Sequence, residues 1–248
     1  GHISLIEASK SHNSLTIATI YINPTQFNNP ADLEKYPKTM ERDLEMLRNA
    51  GCDVVFSPDD FEMYGNSSLI KFDFGSMDKV MEGKFRPGHF SGVAIVVSKL
   101  FNIIQPDCAY FGQKDWQQYA IIRQLVDELK FDLTLYSVPI MREADGLAMS
   151  SRNLRLNQKQ RANATVFFRA LTRAKEALMK GEDLLSVKRA IKEMVDGTPE
   201  MRLEYLELAD SKNLNVLERI DDSVVAILCI AGYAGEVRLI DNMFLASE

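Results

Sequence analysis

Two polar segments of the chain combine residue types that bind phosphate groups. Gly112-Gln-Lys-Asp115 follows an apolar run, and its glycine permits close approach of a ligand to the backbone. Lys114 adds a positive charge where a helix N-terminus would also present free N–H groups. Met149-Ser-Ser-Arg152 supplies two hydroxyl groups and a guanidinium, which can surround phosphates and neutralise charge during phosphoryl transfer. Simpler interpretations are a solvated turn and a linker whose Ser151 or Asn153 caps the next helix.

A histidine and two glutamines extend this polar set. His2, preceded by Gly1, lies directly before a segment with helical spacing, where the helix dipole favours a bound anion and a neutral imidazole. Gln26 belongs to the loop Asn23-Pro-Thr-Gln-Phe27, and Gln118 follows the lysine-bearing turn. Neutral amides can orient a hydroxy acid without adding charge. As isolated residues, each of the three would more commonly be a surface side chain.

The run Arg86-Pro-Gly-His-Phe-Ser-Gly92 has the composition of a mobile lid or a ligand-contacting loop. An inert connection is the alternative. His89 within it either contacts a substrate or supports the loop, and both interpretations remain open. His12 follows a polar helix end and is predicted to be solvated.

The elements that would position these residues alternate between helices and short strands. Leu15–Ile22 is β-branched and almost continuously apolar, which is typical of a strand buried on both faces. Further strands are predicted at Val54–Phe56, Cys108–Phe111 and Leu133–Val138. Such alternation indicates a parallel α/β sheet with right-handed crossovers. Ligands bind beyond the carboxyl ends of such strands, so the polar loops are expected to converge there.

The pattern changes after Arg152, which itself follows a run predicted to be flexible, Glu143-Ala-Asp-Gly146. Helices are predicted from Gln158 to about Lys180 and from Leu184 to about Val195, followed by strands at Arg202–Leu208, Ser223–Ile230 and Val237–Ile240. We therefore predict an α/β fold in which a parallel-sheet domain, residues 1–153, precedes a smaller α+β C-terminal domain, residues 154–248.

Composition narrows the class of protein. The 248 residues carry a formal net charge of −6, which argues against a nucleic-acid binder, and no apolar run is long enough to suggest a membrane span. Three widely separated cysteines suit a reducing cytoplasm with buried thiols, and they lack the spacing of metal ligands. The chain opens abruptly in a predicted helix, so upstream residues are expected.

Taken in order, the motifs resemble those of the pantothenate synthetases along nearly the whole chain. The matching segments are Gly1–Leu5, Asn23–Phe27, Tyr36-Pro37, Arg86–Phe90 with Gly92-Val93, Ser98–Phe101, Gln105–Asp107, Phe111–Asp115, Gln117-Gln118, Arg142–Asn153 and Arg238–Asn242. Each is weak alone, but their coincidence in this order and spacing is very specific.

The resemblance implies a Rossmann-like nucleotidyltransferase domain, a smaller C-terminal domain that closes over the site, and a homodimer. The implied reaction is ATP-dependent ligation of (R)-pantoate to β-alanine. Pantoate would attack the α-phosphorus of ATP to give pantoyl adenylate and pyrophosphate, and β-alanine would then release pantothenate and AMP. Mg²⁺ would accompany ATP, but the sequence identifies no metal ligand. Asp43 and Asp115 are possible indirect partners of the ion.

Residue roles follow from the resemblance position by position. His2 matches the second histidine of the family's His-x-Gly-His signature, and it would act in catalysis with Lys114 and Arg152. The ATP site would comprise Gly1, His2, Gly112, Gln113, Lys114, Asp115, Met141, Met149, Ser150, Ser151 and Arg152. Pantoate and β-alanine would meet Gln26, Gln118, Asn23 and His89.

Three departures from the family pattern qualify the resemblance. The first signature histidine and the strand and Met-Gly turn before it are absent; position 113 is Gln where many relatives have Glu; and Met141 replaces a smaller aliphatic residue. Two alternatives therefore stay open. One is another nucleotidyltransferase that makes a dinucleotide or an activated alcohol, and the other is a nucleotide-binding protein without catalysis.

Overall fold

The computed structural model describes residues 1–27, 33–34, 39–65 and 69–245. It forms two compact units, the first comprising Gly1–Gln113 and Gln117–Pro139, the second comprising Lys114–Trp116 and Ile140–Glu248. The predicted boundary after residue 153 lies inside the second unit. The Lys114 turn and the segment from Ile140 to residue 153 therefore group with the C-terminal residues.

The first unit begins with helix α1 (His2–His12), strand β1 (Ile17–Thr19), helix α2 (Met40–Asn49) and strand β2 (Val54–Phe56). β1 and β2 pair in parallel, with Ala18 opposite Val55. Ile6, Ala18 and Leu47 form a small core between these elements, so α1 and α2 bury their apolar stripes against the strand pair. α2 ends at the turn before Gly51, whose φ of +77° suits glycine.

The prediction for β1 was wrong in two respects. The strand is three residues long rather than eight, and only its central residue, Ala18, is buried. Leu15 and Ile17 are 57% and 37% exposed among the described residues. A continuous apolar run indicates burial on both faces only when other elements cover both, and periodicity alone cannot supply that information.

The rest of the first unit is helix α3 (Asp60–Tyr64), helix α4 (Met81–Phe85), helix α5 (His89–Ile104), strand β3 (Cys108–Gly112), helix α6 (Trp116–Leu129) and strand β4 (Thr134–Val138). β3 and β4 pair in parallel from Cys108 opposite Thr134 to Gly112 opposite Val138. The predicted alternation of helices with parallel strands is confirmed. Both strands therefore deliver their carboxyl ends to the same edge.

The second unit contains helices α7 (Gln158–Asn163), α8 (Val166–Met179) and α9 (Leu184–Asp196), followed by strands β5 (Met201–Asp210), β6 (Ala226–Ala234) and β7 (Val237–Phe244). The strands form an antiparallel sheet in the order β5-β6-β7. One face of this sheet packs with α8 and α9 around a shared apolar core that includes Leu171, Ile191, Leu228 and Leu239. The predicted α+β arrangement is confirmed.

One predicted helix of this unit is divided. The segment from Gln158 to about Lys180 was predicted as a single helix, but α7 ends at Asn163 and α8 begins at Val166. A capping box between Asn157 and Gln160 starts α7. Ala164, in the turn at residues 164–165, is completely buried, whereas a straight helix on the surface would not need to bury this residue.

Two further observations bear on the class of protein. No helix in the described part of the chain has the length and apolar character needed to cross a membrane. Cys229 is buried, whereas Cys52 and Cys108 are only partly buried, so the prediction of buried thiols holds for one of the three. Cys52 and Cys108 are free thiols.

Candidate active site

The lysine-bearing turn follows β3 directly, as the sequence predicts. β3 ends at Gly112, a single 3₁₀ turn spans Gln113–Asp115, and α6 begins at Trp116. Lys114 is half-buried and Asp115 is exposed. A methyl group added to Gly112 would meet no heavy atom of the described residues within 4 Å. The packing of the chain itself therefore does not require glycine at this position.

The backbone of the Lys114 turn is anchored on the C-terminal sheet. The side-chain Nδ2 of Asn242 donates a hydrogen bond to the Lys114 carbonyl oxygen at 2.9 Å. Two residues further on, the Trp116 indole N–H donates to the Ser211 carbonyl at 3.0 Å, and its ring packs edge-on against Phe244 with centroids 4.8 Å apart. A part-buried carbonyl and a buried indole thus both have hydrogen-bond partners, which fix the position of the turn.

The run Glu143–Gly146, predicted to be flexible, is an ordered tight turn. It closes a hairpin in which Arg142 bridges Ala148, the Met149 amide donates to the Met141 carbonyl at 2.9 Å, and the Gly146 amide donates to the Glu143 carbonyl at 2.9 Å. Gly146 has a φ of +91°, and an added methyl would lie 2.2 Å from the ring of Phe168. The polar composition indicated a loop, but the pairing and the close approach to Phe168 were not visible in it.

Arg142 ties this hairpin to β7. Its Nη1 and Nη2 donate to the two carboxylate oxygens of Asp241 at 2.6 and 2.9 Å, and they also reach the carbonyls of Gly146 and Asn242. The guanidinium lies over the Phe168 ring, 4.5 Å from its centroid. At the tip of the turn, an ion pair with Arg161 holds the pKa of the Asp145 carboxyl below its ordinary value.

The segment Ser150–Arg152 follows the hairpin as a 3₁₀ turn. Ser150 precedes the turn Ser151–Arg155, and its hydroxyl oxygen accepts the Arg152 amide at 3.2 Å. The linker interpretation was wrong about the cap of the next helix, because Asn157 and not Ser151 or Asn153 caps α7. The Asn153 amide instead donates to the Ala148 carbonyl at 3.0 Å. Lys114, Met141, Met149 and Ser150–Arg152 all lie in the second unit.

The loop after β1 is held by buried polar contacts of Asn23. Its Oδ1 accepts from the Tyr64 hydroxyl at 2.6 Å and from the Thr25 hydroxyl at 3.0 Å, and its Nδ2 donates to the Gly92 carbonyl at 3.3 Å. Burial raises the pKa of the Tyr64 hydroxyl, which keeps it protonated as the donor. Both ends of the Asn23 amide are therefore used to shape the loop.

Gln26, at the end of the 3₁₀ turn Pro24–Gln26, has an anchored backbone. Its carbonyl accepts a hydrogen bond from Arg86 Nη2 at 3.1 Å and another from His89 Nδ1 at 2.9 Å. The imidazole of His89 is buried, and this contact supports the loop, one of the two roles left open for it. Because a carbonyl can only accept, Nδ1 carries the proton.

The segment Arg86–Gly92 is only partly a loop. α5 starts at His89, directly after Gly88 with a φ of +81°, so the second half of the predicted lid is the first turn of a helix. A methyl on Gly92 would lie 2.6 Å from the Thr25 carbonyl oxygen. Glycine is therefore needed for close packing between α5 and the Asn23–Gln26 loop, rather than for flexibility.

The adjacent glutamines of α6 have different environments. Gln117 is buried; its Oε1 accepts the Glu82 amide at 2.9 Å, and its Nε2 donates to the carbonyls of Met77 and Val80. Gln118 is half-buried. No separate role was predicted for Gln117. The sequence feature that could have indicated one is an amide side chain among the buried apolar residues of a helix.

The N-terminal pair and one remaining motif complete the set. Gly1 is the N-cap residue of α1. His2, predicted to lie directly before the helix, is its first residue, and its side chain is exposed. Tyr36-Pro37 lies outside the described residues. Among the described residues, no group of three or more His, Cys, Asp or Glu side chains is arranged to hold a metal ion.

The comparisons with known proteins agree along the whole chain. A family model described as pantoate-beta-alanine ligase matches residues 1–244. Curated relatives described as pantothenate synthetase include one from Cytophaga hutchinsonii, 46% identical over 99% of this chain and 87% of its own length. Another, from Caldicellulosiruptor bescii, is 42% identical over 100% of this chain and 88% of its own length.

Solved structures give the same result. The pantothenate synthetase of Thermus thermophilus superposes with a TM-score of 0.93 at 38% identity, covering 100% of this chain and 89% of that one. The pantoate-beta-alanine ligase of Francisella tularensis, complexed with beta-gamma ATP and beta-alanine, has a TM-score of 0.81 at 32% identity, covering 100% and 86%. The chain therefore belongs to the pantoate–β-alanine ligase family, and it is an enzyme of that class.

Proposed function

We propose that this enzyme joins (R)-pantoate to β-alanine through a pantoyl-adenylate intermediate, with ATP as the second substrate and AMP and pyrophosphate as products. The observation that carries the proposal is the shared anchorage of two phosphate-binding segments. Asp241 holds the hairpin that leads into Ser150–Arg152, and Asn242 holds the Lys114 turn. Because Asp241 and Asn242 are consecutive, the two cationic segments are held by one short stretch of strand. Positive charge positioned in this way before the reaction is what phosphoryl transfer requires.

The triphosphate is assigned to side chains from these segments. Lys114 and Arg152 supply positive charge, and Ser150 and Ser151 supply hydroxyl groups. His2, at the first position of α1, adds a hydrogen bond from the positive end of the helix dipole. Gly112, Gln113, Asp115 and the backbones of Gly1, Met141 and Met149 frame the rest of the nucleotide.

Pantoate is assigned to Gln26 and Gln118, two half-buried amides of the first unit. The contacts of Arg86 and His89 to the Gln26 carbonyl support this assignment, because they fix the backbone from which the Gln26 side chain projects. Asn23 and His89 then act on the substrate indirectly, since the amide of Asn23 and the Nδ1 of His89 already hold the loop. Neutral amides of this kind suit a hydroxy acid whose carboxylate must remain nucleophilic.

The two steps need no nucleophile from the protein. A carboxylate oxygen of pantoate forms a bond to the α-phosphorus, and the bond from that phosphorus to the β-bridging oxygen breaks to release pyrophosphate. The β-alanine amine, deprotonated, then attacks the acyl carbon; the acyl–oxygen bond breaks, AMP leaves, and the amine loses a second proton as the amide forms. Positioning and charge stabilisation are the contributions of the protein.

Mg²⁺ is proposed to arrive with ATP rather than to occupy a site made by the protein. Magnesium commonly binds through substrate phosphates and one or two carboxylates. The described residues provide no cluster of three ligands, and Asp115 is the carboxylate nearest in sequence to Lys114. When bound, the ion would neutralise phosphate charge.

A homodimer in the cytoplasm completes the proposal, and sedimentation of the purified protein tests the dimer.

The test is exchange of labelled pyrophosphate into ATP, measured with and without pantoate. Exchange that requires pantoate supports the ligase. Exchange that ignores pantoate favours another nucleotidyltransferase, and ATP binding without exchange or AMP release favours a non-catalytic binding protein. Lys114→Ala should lower the exchange rate by about 10²–10³-fold. Lys180→Ala, an exposed lysine at the end of α8, is the matched control.

A further inference from the structure

Asp241 and Asn242 are consecutive residues of β7, and both are almost fully buried, at 5% and 2% exposed. Successive side chains of a strand point to opposite faces of the sheet. Polar side chains at two adjacent buried positions interrupt a strand that is otherwise largely apolar. The contacts of each face explain why they are there.

The face that carries Asp241 is the one that packs against the helices. Leu239 and Met243, two residues before and after Asp241, belong to the apolar core shared with α8 and α9. On this face Asp241 receives the guanidinium of Arg142, which also stacks on Phe168 of α8. Asp241 therefore anchors the hairpin that precedes Ser150–Arg152.

The face that carries Asn242 receives the other segment. Phe244, two residues further along β7, packs against Trp116, which is 4% exposed. On the same face the Asn242 amide donates to the Lys114 carbonyl at 2.9 Å. A single short stretch of strand thus holds the lysine turn on one face and, on the other, the Arg142 hairpin that leads into Ser150–Arg152.

We propose that Asn242 is a positioning residue for the adenylation step, an inference that rests on the proposed role of Lys114. Asn242 is assigned no phosphate contact; it sets the position of the Lys114 backbone relative to a strand that also anchors the Arg142 hairpin, which leads into Ser150–Arg152. A lysine side chain is long and flexible, so the location of its main chain limits where its ammonium group can act. Displacement by about 1 Å can reduce a rate about 10²-fold.

The kinetic test separates the two half-reactions. Asn242→Leu removes the donor with little change of volume, and Asn242→Ala removes it without any risk of overpacking. In either variant, pantoate-dependent pyrophosphate exchange at saturating ATP should fall about 10²-fold. Formation of pantothenate from supplied pantoyl adenylate and β-alanine should be retained. Equal losses in both half-reactions, or no loss in either, would overturn the inference.

A matched control comes from the same sheet. Tyr233→Phe removes the hydrogen bond from the Tyr233 hydroxyl to Glu204, a part-buried contact between β6 and β5 that touches neither segment. In this variant the rates of the two half-reactions should keep the ratio that they have in the wild type. A selective loss of exchange in this variant would show that any perturbation of the sheet suffices, which would contradict a specific role for Asn242.

Amide hydrogen exchange tests the anchorage without relying on activity. Asn242→Ala should accelerate exchange in the peptide that covers residues 113–116 and leave residues 143–149 unchanged, whereas Asp241→Asn should do the reverse. If the wild-type enzyme is active but Asn242→Ala leaves amide exchange at residues 113–116 unchanged, the inference about Asn242 is refuted and the proposed function is not. A different outcome refutes the proposed function and leaves the anchorage standing. In that outcome, Asn242→Ala accelerates amide exchange at residues 113–116, but the wild-type protein shows no pantoate-dependent pyrophosphate exchange.

Discussion

The guanidinium of Arg142 and the carboxylate of Asp241 form a bidentate pair, with N–O distances of 2.6 and 2.9 Å, between residues 99 positions apart in sequence. The carboxylate side chain is only 4% exposed. Planar pairs of this geometry combine charge with orientation, and Lys could not replace Arg in it. The pair explains why a polar segment with the composition of a flexible loop is an ordered hairpin.

Breaking this pair should destabilise the protein strongly. Asp241→Ala leaves a largely buried guanidinium without its carboxylate, and such a loss costs about 3–5 kcal/mol. Denaturation by urea measures the change in the free energy of unfolding. Glu207→Ala is the control, because its ion pair with Lys188 is more exposed and should contribute no more than about 1 kcal/mol. Similar losses in the two variants would contradict the assigned role of the Arg142–Asp241 pair.

Gly92→Ala should disturb the Asn23–Gln26 loop. The added methyl would lie 2.6 Å from the Thr25 carbonyl, so helix and loop must separate, at a cost of about 1–3 kcal/mol. The KM for pantoate should rise more than the KM for ATP, because Gln26 lies in this loop. Steady-state kinetics with each substrate varied makes the comparison.

Ser98→Ala serves as the control for that prediction on the same helix, α5. The Ser98 hydroxyl is buried and has no hydrogen-bond partner among the described residues, so its removal should leave stability unchanged or raised. Both KM values should stay at the wild-type level. Gly92→Ala with an unchanged KM for pantoate would show that the loop does not determine binding of that substrate.

Much of this architecture is predictable from the sequence, and the failures share a physical cause. Periodicity predicts α2, α5, α9 and the parallel pairing of β3 with β4, because each element buries a regular apolar stripe or run. The Lys114 turn also follows the end of β3, where the sequence predicts it.

The failures concern partners that are distant in sequence. The exposure of β1, the break between α7 and α8, and the ordered hairpin at Glu143–Gly146 all depend on what packs against the segment. The roles of Gln117 and Asn242 were likewise missed, because each amide bonds to backbone atoms 35 or more residues away. Residue type gives the capacity to form such bonds, but only the fold determines the partner.

Gly112→Ala should separate packing from ligand binding. The methyl would meet no atom within 4 Å in the part of the chain that the structure describes, so the free energy of unfolding should change by no more than about 1 kcal/mol. If the nucleotide approaches the backbone here, the KM for ATP should rise about tenfold, roughly the loss of one hydrogen bond. An unchanged KM for ATP in a stable variant would remove Gly112 from the proposed site.

Stability at low pH should depend on Asp145. Its hydrogen bonds with Arg161 lower the pKa of the carboxyl in the folded state. A depressed carboxyl pKa stabilises the fold above the unfolded value of about 3.9, and this stabilisation is lost as the pH falls through the folded pKa. Asp145→Asn should therefore lower Tm at pH 6, and the difference from wild type should vanish as the pH approaches the folded pKa.

Asp127→Asn, a change at an exposed carboxylate of α6, is the control for this pH series. Its Tm should follow that of the wild type from pH 6 downward. A difference for Asp145→Asn that grows as the pH falls would have the wrong sign and would exclude the Arg161 pair as its cause.

The fate of oxygen from pantoate tests the central proposal most directly. Pantoate labelled with ¹⁸O in its carboxylate is incubated with ATP, β-alanine and the enzyme, and the AMP is analysed by mass spectrometry. Attack of the carboxylate on the α-phosphorus, followed by cleavage of the acyl–oxygen bond, predicts one ¹⁸O atom in each AMP formed. Label in inorganic phosphate, with ADP as the nucleotide product, would contradict a pantoyl-adenylate intermediate.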